Sequence, residues 1–399
     1  MGSEIRLGIG NFDVDWGRNE FFNYHGALFQ NGDLSVGTYR YYDSRGKRII
    51  EKKPVYARPL RAIVHRLDLL GYTVAAARQQ YNHLLELNRH KVPIDFESLR
   101  TALHKMNVTE VSAEYGDDFD FGEFFSEEIY DRLDLENFVS TKPSKSDLGE
   151  VMGNFHPWYV LRLLGEKSGN LDLKVTWYFA DLVQDGWAEQ EEFVPRLQDS
   201  ERFLIVTEGS SDAKVIRKAL EILYPEIVDF FYFVDMEEGY PFSGTGNLYR
   251  FCQGLAGIKV LNQVIVVYDN DAEGFAKCLD TQSLTLPPNM RVMRLPDITE
   301  FGAFPTLGPN GGSVQDINGR AAAMECYLDL TWKSPRKPSI RWVSFNEKLG
   351  CYHGVLIGKE RYAREFLSLR RREPHYNFEK IKRVLDLIFL ECVQLVEPE

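Results

Sequence analysis

The sequence predicts an α/β protein in which a parallel sheet flanked by helices follows a mixed α+β N-terminal domain. In the C-terminal half, apolar runs at 203–206, 227–234 and 264–267 alternate with helical patterns. Strands that alternate with helices indicate a parallel sheet with crossover connections. With 399 residues, of which 44% are hydrophobic, the chain is long enough for two or three domains with sizeable cores.

The first part of the chain is expected to be rich in β-strands. Residues 1–56 contain short apolar–polar alternations, and Asn31-Gly32 between strand-like flanks indicates a hairpin turn. A cluster of cationic residues follows, consisting of Arg45, Lys47, Arg48, Lys52, Lys53, Arg58, Arg61 and Arg66. Such a run is usually a solvated surface, and contact with nucleic acid or a partner is the alternative interpretation.

Three helices are predicted next. Apolar residues at helical spacing indicate a helix over 59–72, and Gly71 is suited to stop it. Thr73 is suited to cap a second helix through Leu87. A third helix starts near Asp95, after a proline.

The second of these helices contains Arg78 and His83, whose spacing resembles the catalytic signature of HEPN ribonucleases. The arginine could hold a phosphate, and the histidine could act as a general acid or base. The pattern is short, and an ordinary polar helix face is the other interpretation.

The middle of the chain is acidic and aromatic. Residues 114–137 carry much of the acidic excess together with several aromatic side chains, which favours a packed insertion over disorder. An acidic segment that mimics nucleic acid or docks on a basic partner is the alternative. Trp177-Tyr178-Phe179 is interpreted as core. The polar stretch 189–202 indicates a boundary, so the predicted domains are 1–198, 199–332 and 333–399, the last an extension packed on the second.

Carboxylates directly follow two of the predicted parallel strands. Glu208 and Asp212 come after the first strand, whereas Asp269, Asp271 and Glu273 come after the third. Because the carboxyl ends of parallel strands face one crevice, these side chains are expected to converge. Gathering them is costly unless cations neutralise them, and hard oxygen ligands without a Cys or His pattern favour Mg2+ or Mn2+. Such an ion orients a water and stabilises the charge on a phosphate during hydrolysis.

The turn after the first of these strands also suits phosphate chemistry. Gly209 is expected to let the backbone turn sharply. Ser210 and Ser211 favour a helix start, where free N–H groups attract an anion.

The motif Glu-Gly-x-x-Asp at 208–212, followed by Asp-x-Asp-x-Glu-Gly at 269–274, resembles the Toprim domain of topoisomerases, primases and OLD-family nucleases. The stretch 244–274 resembles OLD-like and stand-alone Toprim effectors, and 317–330 resembles their later helix, which carries another acid, here Glu325. The N-terminal part resembles the HEPN/Toprim-associated N-terminal domain. That family occurs in bacterial anti-phage defence proteins, often beside an ATPase.

The resemblance and the chemistry together give roles to the acids. Asp269 and Asp271 are expected to hold the principal Mg2+, and Glu208 to share a metal or act as general acid or base. Asp212 and Glu325 are expected to complete a second, weaker metal site.

Two further residues are candidates for the site, and several elements are predicted in the rest of the C-terminal sequence. Glu273 is expected to contact metal or water. In OLD-like nucleases a lysine downstream of the acids contacts the scissile phosphate, and Lys359 is the candidate by position. Residues 296–313 are expected to form a long loop suited to a rim or lid. Residues 320–328 are expected to form a helix that carries Glu325. Three short strands are predicted at 290–295, 340–345 and 352–357, together with a basic turn at 334–337 and a final helix at 378–396. Arg370–Arg372 precede this helix, and they either bind phosphates or form part of a solvated loop.

These features predict a divalent-metal-dependent nuclease that hydrolyses phosphodiester bonds of DNA or RNA, including tRNA, as an effector in anti-phage defence. The alternative is a regulatory or partner-binding protein whose Toprim fold is not the cutting centre, with HEPN-type RNase activity in the N-terminal domain. A topoisomerase or primase is disfavoured because the chain lacks their tyrosine-bearing domains and zinc-ribbon cysteines. No Walker A motif occurs, so any ATPase would be a separate partner chain.

Charge, hydropathy and cysteine content indicate the environment and the partners of the protein. A net charge of −12 argues against indiscriminate coating of nucleic acid, although it does not exclude a nuclease with segregated charge. No run approaches 18 uncharged apolar residues, so no membrane contact is expected. The five scattered cysteines indicate a reduced, cytoplasmic protein without structural zinc. A homo-oligomer is compatible with the sequence.

Overall fold

The computed structural model describes residues 3–42, 45–87, 92–111, 120–139, 141–234, 244–258, 260–333 and 337–397. The chain divides into two compact units, Met1–Leu197 with Glu397–Glu399, and Gln198–Val396. The start of the predicted acidic segment and most of the predicted basic turn at 334–337 lie outside the described residues.

The first unit is built on an antiparallel sheet with the strand order β2-β1-β5-β4-β3. Its elements in the described residues are β1 (Glu4–Ile9), β2 (Phe12–Arg18), β3 (Leu34–Tyr42), β4 (Arg48–Pro59), α1 (Leu60–Leu69), α2 (Val74–Leu87), α3 (Phe96–Lys105), α4 (Phe121–Phe124), α5 (Lys145–Gly153), α6 (Pro157–Leu164), β5 (Lys174–Tyr178) and α7 (Ala180–Gln184). Trp177 on the central strand is fully buried and contacts the rings of Phe29 and Phe193, which confirms the predicted core.

The predicted hairpin turn at Asn31-Gly32 is wrong. Asn31–Asp33 forms a 3-10 turn in which the Asp33 carboxylate accepts a hydrogen bond from the Gln30 N–H at 2.7 Å. Phe29 before it is buried in the core, and Arg58 lies 3.3 Å from Asp33. These contacts override the local turn preference, and β3 instead forms a hairpin with β4 over Leu34–Tyr42 and Arg48–Tyr56.

The three predicted helices are confirmed as α1, α2 and α3. The Thr73 hydroxyl accepts from the Ala76 N–H at 3.2 Å, and Asp95 accepts from the Ser98 N–H at 2.8 Å, so both caps are present. Gly71 adopts a positive φ of 84°, which suits a glycine at a helix end. In the acidic and aromatic segment, Phe124, Phe125 and Ile129 are buried, which confirms packing of its described part.

The second unit contains a four-stranded parallel sheet with the order β10-β8-β6-β7, flanked by helices. Its elements in the described residues are β6 (Phe203–Thr207), α8 (Ser210–Leu223), β7 (Phe231–Phe233), α9 (Thr245–Ile258), β8 (Gln263–Tyr268), β9 (Asn270–Asp271), α10 (Ala272–Gln282), β10 (Met290–Arg294), β11 (Phe304–Gly308), β12 (Gly311–Gln315), β13 (Ala321–Ala322), β14 (Ile340–Asn346), β15 (Cys351–Leu356), α11 (Lys359–Leu367) and α12 (Glu379–Val396). The predicted mixed α/β architecture with a parallel sheet is therefore confirmed.

Three predicted elements of the second unit differ from the structure. The run at 227–234 is mostly a 3-10 helix, Pro225–Phe230, and only three residues of it form β7. The predicted loop at 296–313 instead forms a 3-10 turn and the β11–β12 hairpin, which joins β14 and β15 in a second sheet. The predicted helix over 320–328 is absent, because Ala321–Ala322 are extended and pair with Asn270–Asp271.

The C-terminal elements belong to the second compact unit. The Tyr224 hydroxyl at the end of α8 donates to Asp386 of α12 at 2.7 Å, so the last helix is fastened to the flank of the sheet. No helix in the described part of the chain is long and apolar enough to cross a membrane.

Candidate catalytic site

The parallel register of β6 and β8 brings the two acidic motifs together. Thr207 is level with Val267, so Glu208 and Asp269 both lie just beyond the carboxyl ends of neighbouring strands. The Glu208 Oε1 accepts a hydrogen bond from the Asp269 N–H at 2.9 Å. Two segments about sixty positions apart in sequence therefore meet at one edge of the sheet.

Four carboxylates at this edge share one feature of geometry. Each has one oxygen that accepts from a backbone N–H: Glu208 from Asp269, Asp212 from Gly209 at 3.1 Å, Asp269 from Met324 at 3.0 Å, and Asp271 from Glu273 and Gly274 at 3.0 and 2.8 Å. The second oxygen of each makes no hydrogen bond to the described part of the chain. The backbone thus orients these carboxylates and leaves one oxygen of each available as a ligand.

Burial and mutual repulsion raise the pKa values of the same four groups. Burial, with a contribution from the charge of Asp271, raises the pKa of Glu208 to about 8. Burial and Glu325 raise the pKa of Asp212 to about 7, against an opposing effect of Lys359. Burial also raises the pKa of Asp269 well above its ordinary value. A cluster of this kind is stabilised by a cation.

Asp271 has a more polar setting than its neighbours. Burial raises its pKa, while the Gly274 N–H and the nearby His353 ring lower it. Its Oδ2 lies 3.8 Å from the His353 Nδ1. Asp271 is also the N-cap of α10, so its position is fixed by the helix that it starts.

The other three predicted site residues lie around this cluster. Glu325 is buried, with 5% exposure, on the 3-10 turn Met324–Tyr327 rather than on the predicted helix, and its charge acts on Asp212 and Asp269. Glu273 is exposed in the first turn of α10, and its charge acts on Glu208 and Asp271. Lys359 is exposed at the start of α11, and its charge acts on Asp212.

Gly274 is required for the close packing of this site. A Cβ at this position would lie 2.4 Å from the Asp269 carbonyl oxygen and 2.7 Å from the Glu208 Oε1. Gly209 differs, because its φ of −145° is extended backbone and a Cβ there would meet Asp212 at an ordinary 3.5 Å. The predicted need for a sharp glycine turn at Gly209 is therefore wrong.

Sequence reasoning missed two residues of the site, Asn270 and His353. Asn270 is fully buried between the two aspartates, accepts from the Gly319 N–H at 2.8 Å and from Arg294, and donates to Asp297 at 3.0 Å. Its position between two predicted ligands was a signal that could have identified it. His353 had no such signal, since only the pairing of β14 with β15 brings it to Asp271.

The donor set fits a divalent cation of the Mg2+ type. Within the described ranges, no group of three or more His, Cys, Asp or Glu side chains has a geometry that could hold a metal ion. Mg2+ does not need such a cage, because it keeps several waters and is usually bound by one or two carboxylates and by substrate phosphates. The four carboxylates each have one oxygen without a hydrogen bond to the described chain, so one or two of them could bind Mg2+ in this way.

The other candidate catalytic pair lies in the first unit on α2. Arg78 and His83 are both exposed, and Arg78 pairs with Glu97 and lies 5.5 Å from the centre of the Phe96 ring. Because a helix turns once per 3.6 residues, side chains five positions apart project roughly 140° from each other. Arg370–Arg372 are exposed between α11 and α12.

One comparison gives the class of the protein. A family model described as HEPN/Toprim N-terminal domain 1 matches residues 1–201, a range that corresponds to the first unit. Such a domain suggests a nuclease-like enzyme that acts on nucleic acid. The chain belongs to the HEPN/Toprim N-terminal domain 1 family. No curated protein and no solved structure matches the chain.

Proposed function

We propose that the second unit is a Toprim-type nuclease that hydrolyses phosphodiester bonds of nucleic acid with the aid of Mg2+ or Mn2+. The observation that supports this most strongly is the arrangement of Glu208, Asp212, Asp269 and Asp271 at the end of a parallel sheet. Each carboxylate is oriented by a backbone N–H and keeps one oxygen free of hydrogen bonds to the described chain. A purely structural cluster would be expected to pair these charges internally.

The residues divide into two groups in this proposal. Asp269 and Asp271 hold the principal ion, while Asp212 and Glu325 form a second, weaker position. When bound, the ions activate a water and neutralise the charge that develops on the phosphate. Glu208 shares an ion or moves a proton between its unpartnered oxygen and the attacking water or leaving oxygen.

Three further side chains have supporting roles. Lys359, at the start of α11 on the Asp212 side, contacts the scissile phosphate. Glu273 holds an ion or an ordered water. His353, 3.8 Å from Asp271, positions that carboxylate.

The biological setting is proposed from family resemblance. An OLD-like effector role in anti-phage defence, controlled by a separate ATPase chain, would match the associations of similar domains. All five cysteines are free, which supports a reducing cytoplasmic setting. The HEPN-type alternative gains no support from α2, where Arg78 is engaged with Glu97.

The test is cleavage of supercoiled DNA, genomic DNA and total tRNA with Mg2+ or Mn2+. We expect metal-dependent cutting by the wild type and loss of at least 100-fold in Asp269→Ala/Asp271→Ala, because the ion is then lost. Cutting that survives this change but disappears in His83→Ala would refute the proposal. If neither protein cuts, the assay is repeated with the partner ATPase and its trigger, and continued inactivity would favour a binding role.

A further inference from the structure

The β3–β4 hairpin of the first unit is strongly cationic. Residues 35–54 contain six Lys or Arg and only two Asp or Glu, although the chain as a whole has a net charge of −12. The six cations are Arg40, Arg45, Lys47, Arg48, Lys52 and Lys53. Positive charge is therefore concentrated in this short stretch of the chain.

Most of this hairpin is a two-stranded ribbon. β4 pairs with β5 only over Val55–Pro59, whereas its pairing with β3 begins at Arg48. β3 is the last strand of the sheet. The ribbon therefore projects beyond the five-stranded part, and at about 3.3 Å per residue its strands extend over roughly 20 Å.

One face of the ribbon is fastened to the unit. The Tyr39 hydroxyl accepts from the Ala180 N–H at 3.0 Å, at the start of α7. Asp181 accepts from the Tyr41 hydroxyl at 2.7 Å and from the Lys53 Nζ at 2.9 Å. These contacts hold the ribbon in place, so it is presented as a fixed arm.

The opposite face is cationic and partly apolar. Antiparallel pairing sets Arg40 opposite Ile50, and Thr38 opposite Lys52, so these side chains lie on the same side. We define this outer face as Val36, Thr38, Arg40, Arg48, Ile50 and Lys52. Val36 and Ile50 are 69% and 59% exposed. Arg40 and Arg48 are exposed and form no ion pair within the described residues.

We propose that the outer face of the β3–β4 hairpin binds duplex DNA by lying in the major groove. The choice of nucleic acid as ligand rests on the proposed function, and charge complementarity supports it independently. A two-stranded ribbon fits a B-form major groove about 12 Å wide, whereas the major groove of duplex RNA is deep and narrow. The arginines and Lys52 contact phosphates or base edges, and the exposed aliphatic side chains contact thymine methyl groups.

A competing explanation for the cations is that they protect the edge strand against aggregation. Cations on an edge strand prevent pairing with another copy of the chain. That explanation predicts more self-association, and unchanged DNA affinity, when the charges are removed. The two explanations therefore differ in the DNA affinity that they predict for a variant without these charges.

The experiment measures binding of full-length protein to a duplex DNA of about 25 base pairs by fluorescence anisotropy in EDTA, which prevents metal-dependent cutting. The test variant is Arg40→Gln/Arg48→Gln/Lys52→Gln. The matched control is Lys105→Gln/Arg132→Gln/Lys174→Gln, which removes three exposed cations elsewhere in the unit. Duplex RNA and single-stranded DNA of the same sequence serve as competing ligands. Thermal melting verifies that both variants fold.

We expect the test variant to lose about tenfold or more in affinity for duplex DNA, and the control to stay within about twofold. The slope of log affinity against log salt should fall by about 2–3, since each lost phosphate contact removes about 0.9. Equal binding by the two variants, a wild type without affinity for duplex DNA, or a preference for RNA or single strands governed by the same residues would overturn the proposal.

A second readout separates this proposal from the nuclease itself. Hydrolysis of bis(p-nitrophenyl) phosphate with Mn2+ uses a substrate too small to span a groove, so the test variant should hydrolyse it at the wild-type rate. If no protein hydrolyses it, even with the partner ATPase and its trigger, the proposed function fails while the DNA-binding result stands. A parallel loss of hydrolysis and DNA binding in the folded test variant would contradict a groove-binding role.

Discussion

Buried acids in the two units have opposite electrostatic surroundings. Asp181 in the first unit is buried against Lys53, at 2.9 Å, and the Tyr41 hydroxyl, so its charge is neutralised within the protein. Asp269 in the second unit is buried beside Asp212, Glu208 and Asp271, and burial and these like charges raise its pKa, so its ionised form is disfavoured. The first arrangement holds a hairpin in place. The second is unfavourable without a cation, which is why we propose these acids as the functional cluster.

The largest expected effect comes from neutralising Asp269 in the second unit. Asp269→Asn keeps an acceptor for the Met324 N–H but removes a proposed metal ligand and a buried acid that repels its neighbours when ionised. We expect phosphodiester cleavage to fall about a thousandfold, because metal-held charge stabilises the transition state by several kcal/mol. The metal-free protein should be at least as stable as the wild type.

Asp181→Asn is the matched variant in the first unit. It removes the partner of Lys53 and should lower the free energy of unfolding by about 1–3 kcal/mol, while cleavage of a small phosphodiester is unchanged. Urea unfolding and initial rates on the same preparations measure both properties. If Asp269→Asn destabilises the protein as much as Asp181→Asn does, the two buried acids are alike and the comparison fails.

A smaller effect is expected from the packing of the acidic cluster. Gly274→Ala places a methyl group 2.4 Å from the Asp269 carbonyl oxygen, so α10 must shift together with the Asp271 carboxylate that caps it. We expect a loss of about 1–3 kcal/mol in unfolding free energy and a fall in cleavage rate. Gly209→Ala, which makes only ordinary contacts, should stay within about 0.5 kcal/mol of the wild type. Equal effects of the two changes would show that close packing at Gly274 is unimportant.

Features encoded by residues close together in the sequence could be predicted, whereas features that depend on pairing between distant segments could not. The strands and the acids after them are encoded locally, so the convergence of Glu208 and Asp269 could be predicted from spacing. The setting of Glu325 could not, because pairing of Ala321–Ala322 with Asn270–Asp271 replaces the expected helix. His353 depends on the distant β14–β15 pairing for the same reason. At Asn31-Gly32 a strong local turn signal was overridden by the burial of Phe29.

The smallest expected effect is a gradual change of stability with pH, which tests whether the acids of the second unit repel one another in the metal-free protein. In the folded, metal-free protein the pKa of Glu208 is raised to about 8 and that of Asp212 to about 7, by burial and by neighbouring acids. Groups whose pKa is raised on folding stabilise the protein when protonated, and this contribution is lost as the pH rises through the folded pKa values. The Tm of the second unit should therefore fall between about pH 5 and pH 8 in EDTA.

Mg2+ should reverse this trend, because it binds the deprotonated carboxylates. We expect the rise in Tm on adding Mg2+ to be larger at pH 8 than at pH 5.5, by on the order of 5 °C, and to vanish in Asp269→Asn. His156 in the first unit provides an internal contrast, since burial lowers its pKa to about 4, so that its contribution is lost as the pH falls from about 6.5 towards 4. Scanning calorimetry in EDTA and in Mg2+ measures both trends. A metal-induced rise in Tm that is the same at both pH values would mean that the acids of the second unit are not neutralised by the ion, and the distinction between the buried acids of the two units would be lost.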